Sequence, residues 1–179
     1  MATAHDRAVL NQILNPLLPN SDGLDEVKHE EVVIEHEGFA RSVELEREGV
    51  RLAESGKSAD AIAVFSKAIE SCPVNPSAYN NRAQAYRLNE QIEEALADLN
   101  EALKLGNEKG KAACQAFVQR GSIYRLQGND DKAREDFQAA AELGSSFAKM
   151  QLVTLNPYAA MCNKMLSDVF SNMKNGKTS

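Results

Sequence analysis

The 179-residue chain has no tryptophan, five prolines and three cysteines, and it contains no apolar run near the eighteen residues that a membrane-crossing helix needs. Its opening, Met1-Ala2-Thr3-Ala4-His5-Asp6, has neither the basic segment nor the apolar stretch of a secretory leader. Secretion and membrane spanning are therefore not expected. Cys72, Cys114 and Cys162 lie far apart without paired spacing, which argues against a disulfide framework or a zinc knuckle and fits a reducing cytoplasm. Positive charge is also scarce. With 20 Lys and Arg against 26 Asp and Glu, the formal charge is −6, and no basic stripe is available to follow a phosphate backbone. Nucleic acid is not an expected partner.

Histidine is limited to His5, His29 and His36, so no Ser-His-Asp or Cys-His arrangement can be argued over the rest of the chain. Neither a nucleophile-elbow motif nor a glycine-rich loop after a strand is present. His29-Glu30-Glu31 superficially matches a metalloprotease helix, but position 33 is Val where that motif needs its second histidine. His29 and His36, two helical turns apart with Glu37 nearby, would bind zinc only weakly, and an exposed polar face accounts for them. Glu93-Glu94 and Asp130-Asp131 fall in first turns of helices, where the dipole favours negative charge. No catalytic group, metal or cofactor is expected.

What the chain does have is self-similarity. Gly49, Ala61, Phe65 and Ala68 are echoed 34 residues later by Ala83, Ala95, Leu99 and Ala102, and again by Gly121, Ala133, Phe137 and Ala140. A helical hairpin cannot bury its apolar face alone, so this period predicts stacked helical hairpins and a curved surface. The step from Ala95 to Ala133 is 38 residues, so four have entered around Gly110 to Ala113. That is close to one turn, and it should lengthen the first helix of the third hairpin without rotating its apolar face.

Local signals place the elements. Val9, Leu10, Ile13 and Leu14 predict an amphipathic helix over 4–14, which either docks on the repeats or binds outward, and residues 25–38 read as helical. Gly56 should take the left-handed position after the first repeat helix, with Ser58 capping the next. Asn75-Pro76 opens the second hairpin, which stops at Gly106; Gly128-Asn129 divides the third hairpin and Gly144-Ser145 ends it. Asn156-Pro157 begins a last helix in which Tyr158, Met161, Cys162, Met165, Leu166, Val169 and Met173 share one face, either a cap on the array or an adaptable docking surface. The expected organisation is an acidic helical extension over 1–41, three repeats over 42–147, capping helices over 148–173 and a disordered tail over 174–179.

Residues 22–54 carry eleven acids against Lys28, Arg41, Arg47 and Arg51, a local charge of −7 that leaves the remainder near neutral. This arm is either a solvated helix face or an attractor for a basic partner surface.

On these residues the chain resembles the tetratricopeptide-repeat proteins, whose unit has a large residue at position 4, a small one at 8, an aromatic at 11, alanine at 20, a large apolar at 24 and alanine at 27. Repeat one (42–75) supplies Leu45, Gly49, Leu52, Ala61, Phe65, Ala68 and, at position 32 where the family often has proline, Pro73. Repeat two (76–109) supplies Tyr79, Ala83, Tyr86, Ala95, Leu99 and Ala102; repeat three (114–147) supplies Phe117, Gly121, Tyr124, Ala133, Phe137 and Ala140. The resemblance implies an all-α solenoid acting as a non-catalytic adaptor for a protein partner, either a seventy-kilodalton heat-shock chaperone or a client, such as a metabolic enzyme, bound without one.

Many chaperone-binding relatives hold a terminal carboxylate with Lys, Asn, Asn, Lys and Arg at fixed groove positions. Here those positions are Glu46, Val50, Asn81, Gln115 and Gln119, so only Asn81 matches. A neutral hydrogen bond contributes roughly 0.5–1.5 kcal/mol against about 1.5–3 for a charged one, so the standard clamp should be weak or absent and a chaperone would be met elsewhere. By family position the concave groove is lined by Asn80, Asn81, Gln84, Gln115, Gln119 and Ser122, flanked by Arg47, Arg87 and Arg125. Amides both donate and accept, which suits the backbone of an extended peptide.

Overall fold

The computed structural model describes residues 34–156, together with Met161 and Met165. Seven helices and no strand are found among the described residues: α1 (Phe39–Glu54), α2 (Ser58–Ser71), α3 (Pro76–Leu88), α4 (Ile92–Leu105), α5 (Gly110–Leu126), α6 (Asp130–Glu142) and α7 (Ser146–Thr154). Each helix packs chiefly on the one before and the one after it, and α1, α3 and α5 also touch in series. The result is three stacked hairpins with α7 against the last, the all-α repeat solenoid that the 34-residue period predicts.

The turn chemistry follows the sequence closely. Asn75 accepts from the Ser77 amide while Pro76 starts α3, where its missing donor costs nothing. Asn129 and Ser145 cap α6 and α7 in the same way. The four inserted residues become an extra turn, since α5 has 17 residues against 13 in α3. Gly56, at φ +80°, closes the first hairpin in the left-handed region, and Glu90, 34 residues on, takes the same conformation at φ +60°.

Two expectations need correction. Ser58 is the first residue of α2 rather than its cap, because the Lys57 amide bonds back to the Leu52 carbonyl and ends the turn early; its hydroxyl instead donates to Asn89 Oδ1 at 3.2 Å. The helix expected over 25–38 does not cover its described end: Ile34–His36 are not helical, and a turn at Glu37–Gly38 precedes α1. The reason is local. A Cβ on Gly38 would lie 1.7 Å from the Ser71 carbonyl oxygen, so the chain passes the end of α2 where no side chain fits. The helix expected over 4–14, the rest of 25–33 and the C-terminal face from Tyr158 lie outside the described residues, apart from Met161 and Met165.

Phe65, Leu99 and Phe137 fill the spaces that Gly49, Ala83 and Gly121 leave between paired helices. A continuous apolar cluster runs from Ala83 in α3 through α4, α5 and α6 to Ala148 in α7, whereas the first hairpin contributes to two small clusters, Leu45–Ala68–Ala78 and Ala61–Phe65–Ala85. Two bidentate ion pairs join the paired helices of the second and third hairpins. Arg82 grips Asp98 at 2.7 and 2.8 Å, and Arg120 grips Asp136 at 2.9 and 2.7 Å. The second arginine also bonds Asn100 and lies over the Phe117 ring. Subtracting the period puts Glu48 and Val64 at the corresponding positions of the first hairpin, which has no such buckle.

Candidate functional site

The inner face formed by α1, α3 and α5 carries two adjoining clefts, of about 480 and 370 Å³, which share Phe39, Asn75, Ser77 and Asn81. Val43 and Val50 give the first an apolar floor along α1, at a helical spacing that keeps them on one side of it. Ile34, from the chain preceding α1, lines the second.

Glu46 organises the wall between them. This carboxylate is 7% exposed and accepts from Asn75 Nδ2 at 2.6 Å, Ser77 Oγ at 2.6 Å and Asn81 Nδ2 at 2.7 Å, while the same Asn75 amide reaches Ser42 Oγ at 3.0 Å. Three neutral donors satisfy this carboxylate, which has no ion-pair partner among the described residues. Asn81, the one residue that matches the family's carboxylate clamp, is therefore already engaged by the acid that replaces the clamp lysine.

Four cations border this face. Arg47 and Arg51 project from α1 one turn apart, and Lys109 and Lys111 stand at the start of α5, with Lys111 one turn before Gln115. All four are exposed, and none has a carboxylate partner among the described residues. Family position pointed to Arg47 alone and passed over the other three. The four-residue insertion, read only as a helix extension, is what brings Lys111 onto the face of Gln115.

Of the nine groove residues expected, Arg47, Asn81 and Gln115 line the clefts. Asn80, Gln119 and Ser122 do not offer free surface, being 2%, 5% and 4% exposed. One residue along a helix from Asn81 turns Asn80 by about 100°, and its amide there donates to the Ala112 carbonyl at 2.7 Å. Ser122 bonds back to the Val118 carbonyl at 2.7 Å. Gln84 lines neither cleft, Arg125 bonds Gln151 of α7, and Arg87 is partly buried, so that desolvation draws its guanidinium below its usual range.

Among the described residues no helix is long and apolar enough to cross a membrane, and no group of three His, Cys, Asp or Glu side chains could hold a metal ion. The Tetratricopeptide repeat family profile matches residues 47–110 and again 115–143. The chain belongs to the tetratricopeptide-repeat family. A tetratricopeptide-repeat relative of Caenorhabditis briggsae, Tetratricopeptide repeat protein 36, is 67% identical over 177 residues, covering 98% of this chain and 99% of its own. The Homo sapiens protein of that name is 47% identical over 188 residues, with full coverage of both. Among solved structures, the second tetratricopeptide-repeat domain of human RPAP3, in complex with the HSP70 peptide SGPTIEEVD, superposes with a TM-score of 0.57 at 25% identity, covering 66% of this chain and 97% of that one.

Proposed function

We propose that this tetratricopeptide-repeat protein is a non-catalytic adaptor whose concave face holds an extended acidic segment of a protein partner, and that the partner is a seventy-kilodalton heat-shock chaperone. The observation that carries the reading is the set of four exposed cations, Arg47, Arg51, Lys109 and Lys111, around an apolar floor and without carboxylate partners among the described residues. A peptide such as SGPTIEEVD, bound by the similar RPAP3 domain, presents an isoleucine and then two glutamates, which matches apolar floor and cationic border in kind. Each charge-assisted contact contributes about 1.5–3 kcal/mol when made, so two suffice for a specific if salt-sensitive complex. Asn81 and Gln115 then serve the peptide backbone, and Glu46 disfavours the terminal-carboxylate geometry of the family's standard clamp; this reading departs from the expectation that a chaperone would be met elsewhere, because three of the four cations, Arg51, Lys109 and Lys111, lie outside the family's groove positions.

Calorimetric titration with the purified chaperone, intact and lacking its acidic C-terminal tail, tests this. Binding should require the tail, weaken with salt and fall about tenfold in Lys111→Glu, the loss of one charge-assisted contact. Equal binding to both forms would move the contact off the concave face. No binding to either would favour a client-specific scaffold that works without the chaperone.

A further inference from the structure

The second cleft already receives a piece of this chain. Ile34 lines it beside Phe39, Lys109, Lys111 and Gln115, on the approach to α1. Immediately before Ile34 the sequence reads Glu30-Glu31-Val32-Val33. The chaperone peptide held by the similar RPAP3 domain ends Ile-Glu-Glu-Val-Asp, so the two share Glu-Glu-Val.

We propose that Glu30–Val33 is an intramolecular ligand of the concave face, occupying the place of a partner's acidic segment until the partner displaces it. The inference rests on the reading of that face as a site for acidic peptides, and adds that the site is regulated from within the chain.

Three observations support this occupant over another. The first is continuity, because Ile34 fixes one end of the segment at the cleft. Four extended residues reach roughly 13 Å, more than the 8–10 Å between neighbouring packed helices, so the pair of glutamates can span from Ile34 to the cations of α1 or α5. The second is charge. Glu30 and Glu31 are followed in sequence by Glu35, itself exposed, and the clefts are bordered by Arg47, Arg51, Lys109 and Lys111, which have no carboxylate partner among the described residues. The third is the altered clamp. An internal Glu-Glu-Val has no free carboxylate to offer, and with Glu46, Gln115 and Gln119 at the clamp positions this groove has no cation placed to demand one. A groove that reads acidic side chains rather than a chain end accepts its own segment as readily as a partner's.

Tethering makes the segment a strong competitor. A short linker gives an effective concentration in the millimolar range, so a partner's apparent affinity falls by the fraction of molecules whose cleft is occupied. The full-length protein with Glu30→Gln and Glu31→Gln removes the charges while keeping shape. A fluorescent SGPTIEEVD peptide should bind this variant five- to tenfold more tightly than the parent, whereas Asp25→Asn with Glu26→Gln, an equal change of charge outside the triplet, should alter binding less than twofold. Equal gains in both variants, or no gain in the first, would overturn the proposal. A second readout needs no peptide: in the free protein the Glu30→Gln, Glu31→Gln change should shift the backbone amide resonances of Arg47, Asn81, Lys111 and Gln115, and unmoved resonances would also overturn it. Moved resonances with no peptide binding in any variant would instead retain the internal ligand and refute the chaperone reading.

Discussion

Replacing Gly49 with alanine tests how the paired helices fit. A Cβ there would lie 2.5, 2.7 and 2.8 Å from three ring carbons of Phe65. That ring is 2% exposed and enclosed by the first and second hairpins, so it cannot withdraw. Overpacking of this kind costs about 1–3 kcal/mol, and three contacts below 3 Å put it at the upper end. Alanine's better helix propensity returns about 1 kcal/mol. The net loss is then about 2 kcal/mol, roughly 4–8 °C in melting temperature for a chain of this length. At Gly121 the nearest approaches are 3.1 Å, to Asp136 Cβ and Phe137 Cε1, so the neighbours need give only a few tenths of an ångström. Gly121→Ala should therefore lie within about 1 kcal/mol of neutral. The middle hairpin shows the compensated solution, with Ala83 and Leu99 at the equivalent positions. Combining Gly49→Ala with Phe65→Leu should recover at least about 1 kcal/mol relative to the sum of the single changes. Urea unfolding followed by far-ultraviolet circular dichroism measures all four variants. A Gly49→Ala protein as stable as the parent, a larger loss in Gly121→Ala, or an additive double variant would each refute this account of the packing.

Asp136→Ala leaves the Arg120 guanidinium partly buried without its bidentate partner and should cost about 3 kcal/mol in urea unfolding, while replacing both residues with apolar ones of similar volume should restore most of that. Burial pushes the Cys114 thiol up from its ordinary 9.0 to about 11, so below pH 9 it should resist iodoacetamide in the folded protein and react once denatured, as mass spectrometry of the labelled peptide would show. Because the folded thiol ionises later than the unfolded one, its contribution to stability is complete below pH 9 and is lost as pH rises towards 11.

The repeat made most of the fold legible before any coordinates. Small residues at fixed intervals reveal where helices cross, and Asn75-Pro76, Asn129 and Ser145 carry their own capping chemistry, so the helix order, the hairpin stops and the lengthened α5 could all be read directly. The Arg–Asp buckles were equally present in the sequence, since Arg82 and Arg120 share the 38-residue step of Asp98 and Asp136, but a search for apolar periodicity passes over them. The candidate site was less legible. Groove positions transferred from a family pattern err when one residue's rotation turns a side chain inward, as at Asn80, and when the side chain prefers its own helix, as at Ser122. The Glu46 cluster was hidden for a different reason. Its three donors lie 29, 31 and 35 residues away, and only the stacking of α1 on α3 brings them to one carboxylate.

The uneven distribution of the core has a consequence for how the molecule responds to occupancy. The second and third hairpins and α7 share one apolar cluster and both Arg–Asp buckles, whereas α1 and α2 are joined to them by two small apolar clusters and by polar links, the Glu46 hydrogen bonds and that from Arg82 to Ser66 among them. In a one-dimensional array each unit is only as secure as its junction with the next, so the end hairpin is where the array frays first. That hairpin also supplies Val43, Arg47, Val50 and Arg51 to the cleft. Whatever fills the cleft therefore clamps the end unit to the rest, and ligand affinity and local melting become two readings of a single equilibrium.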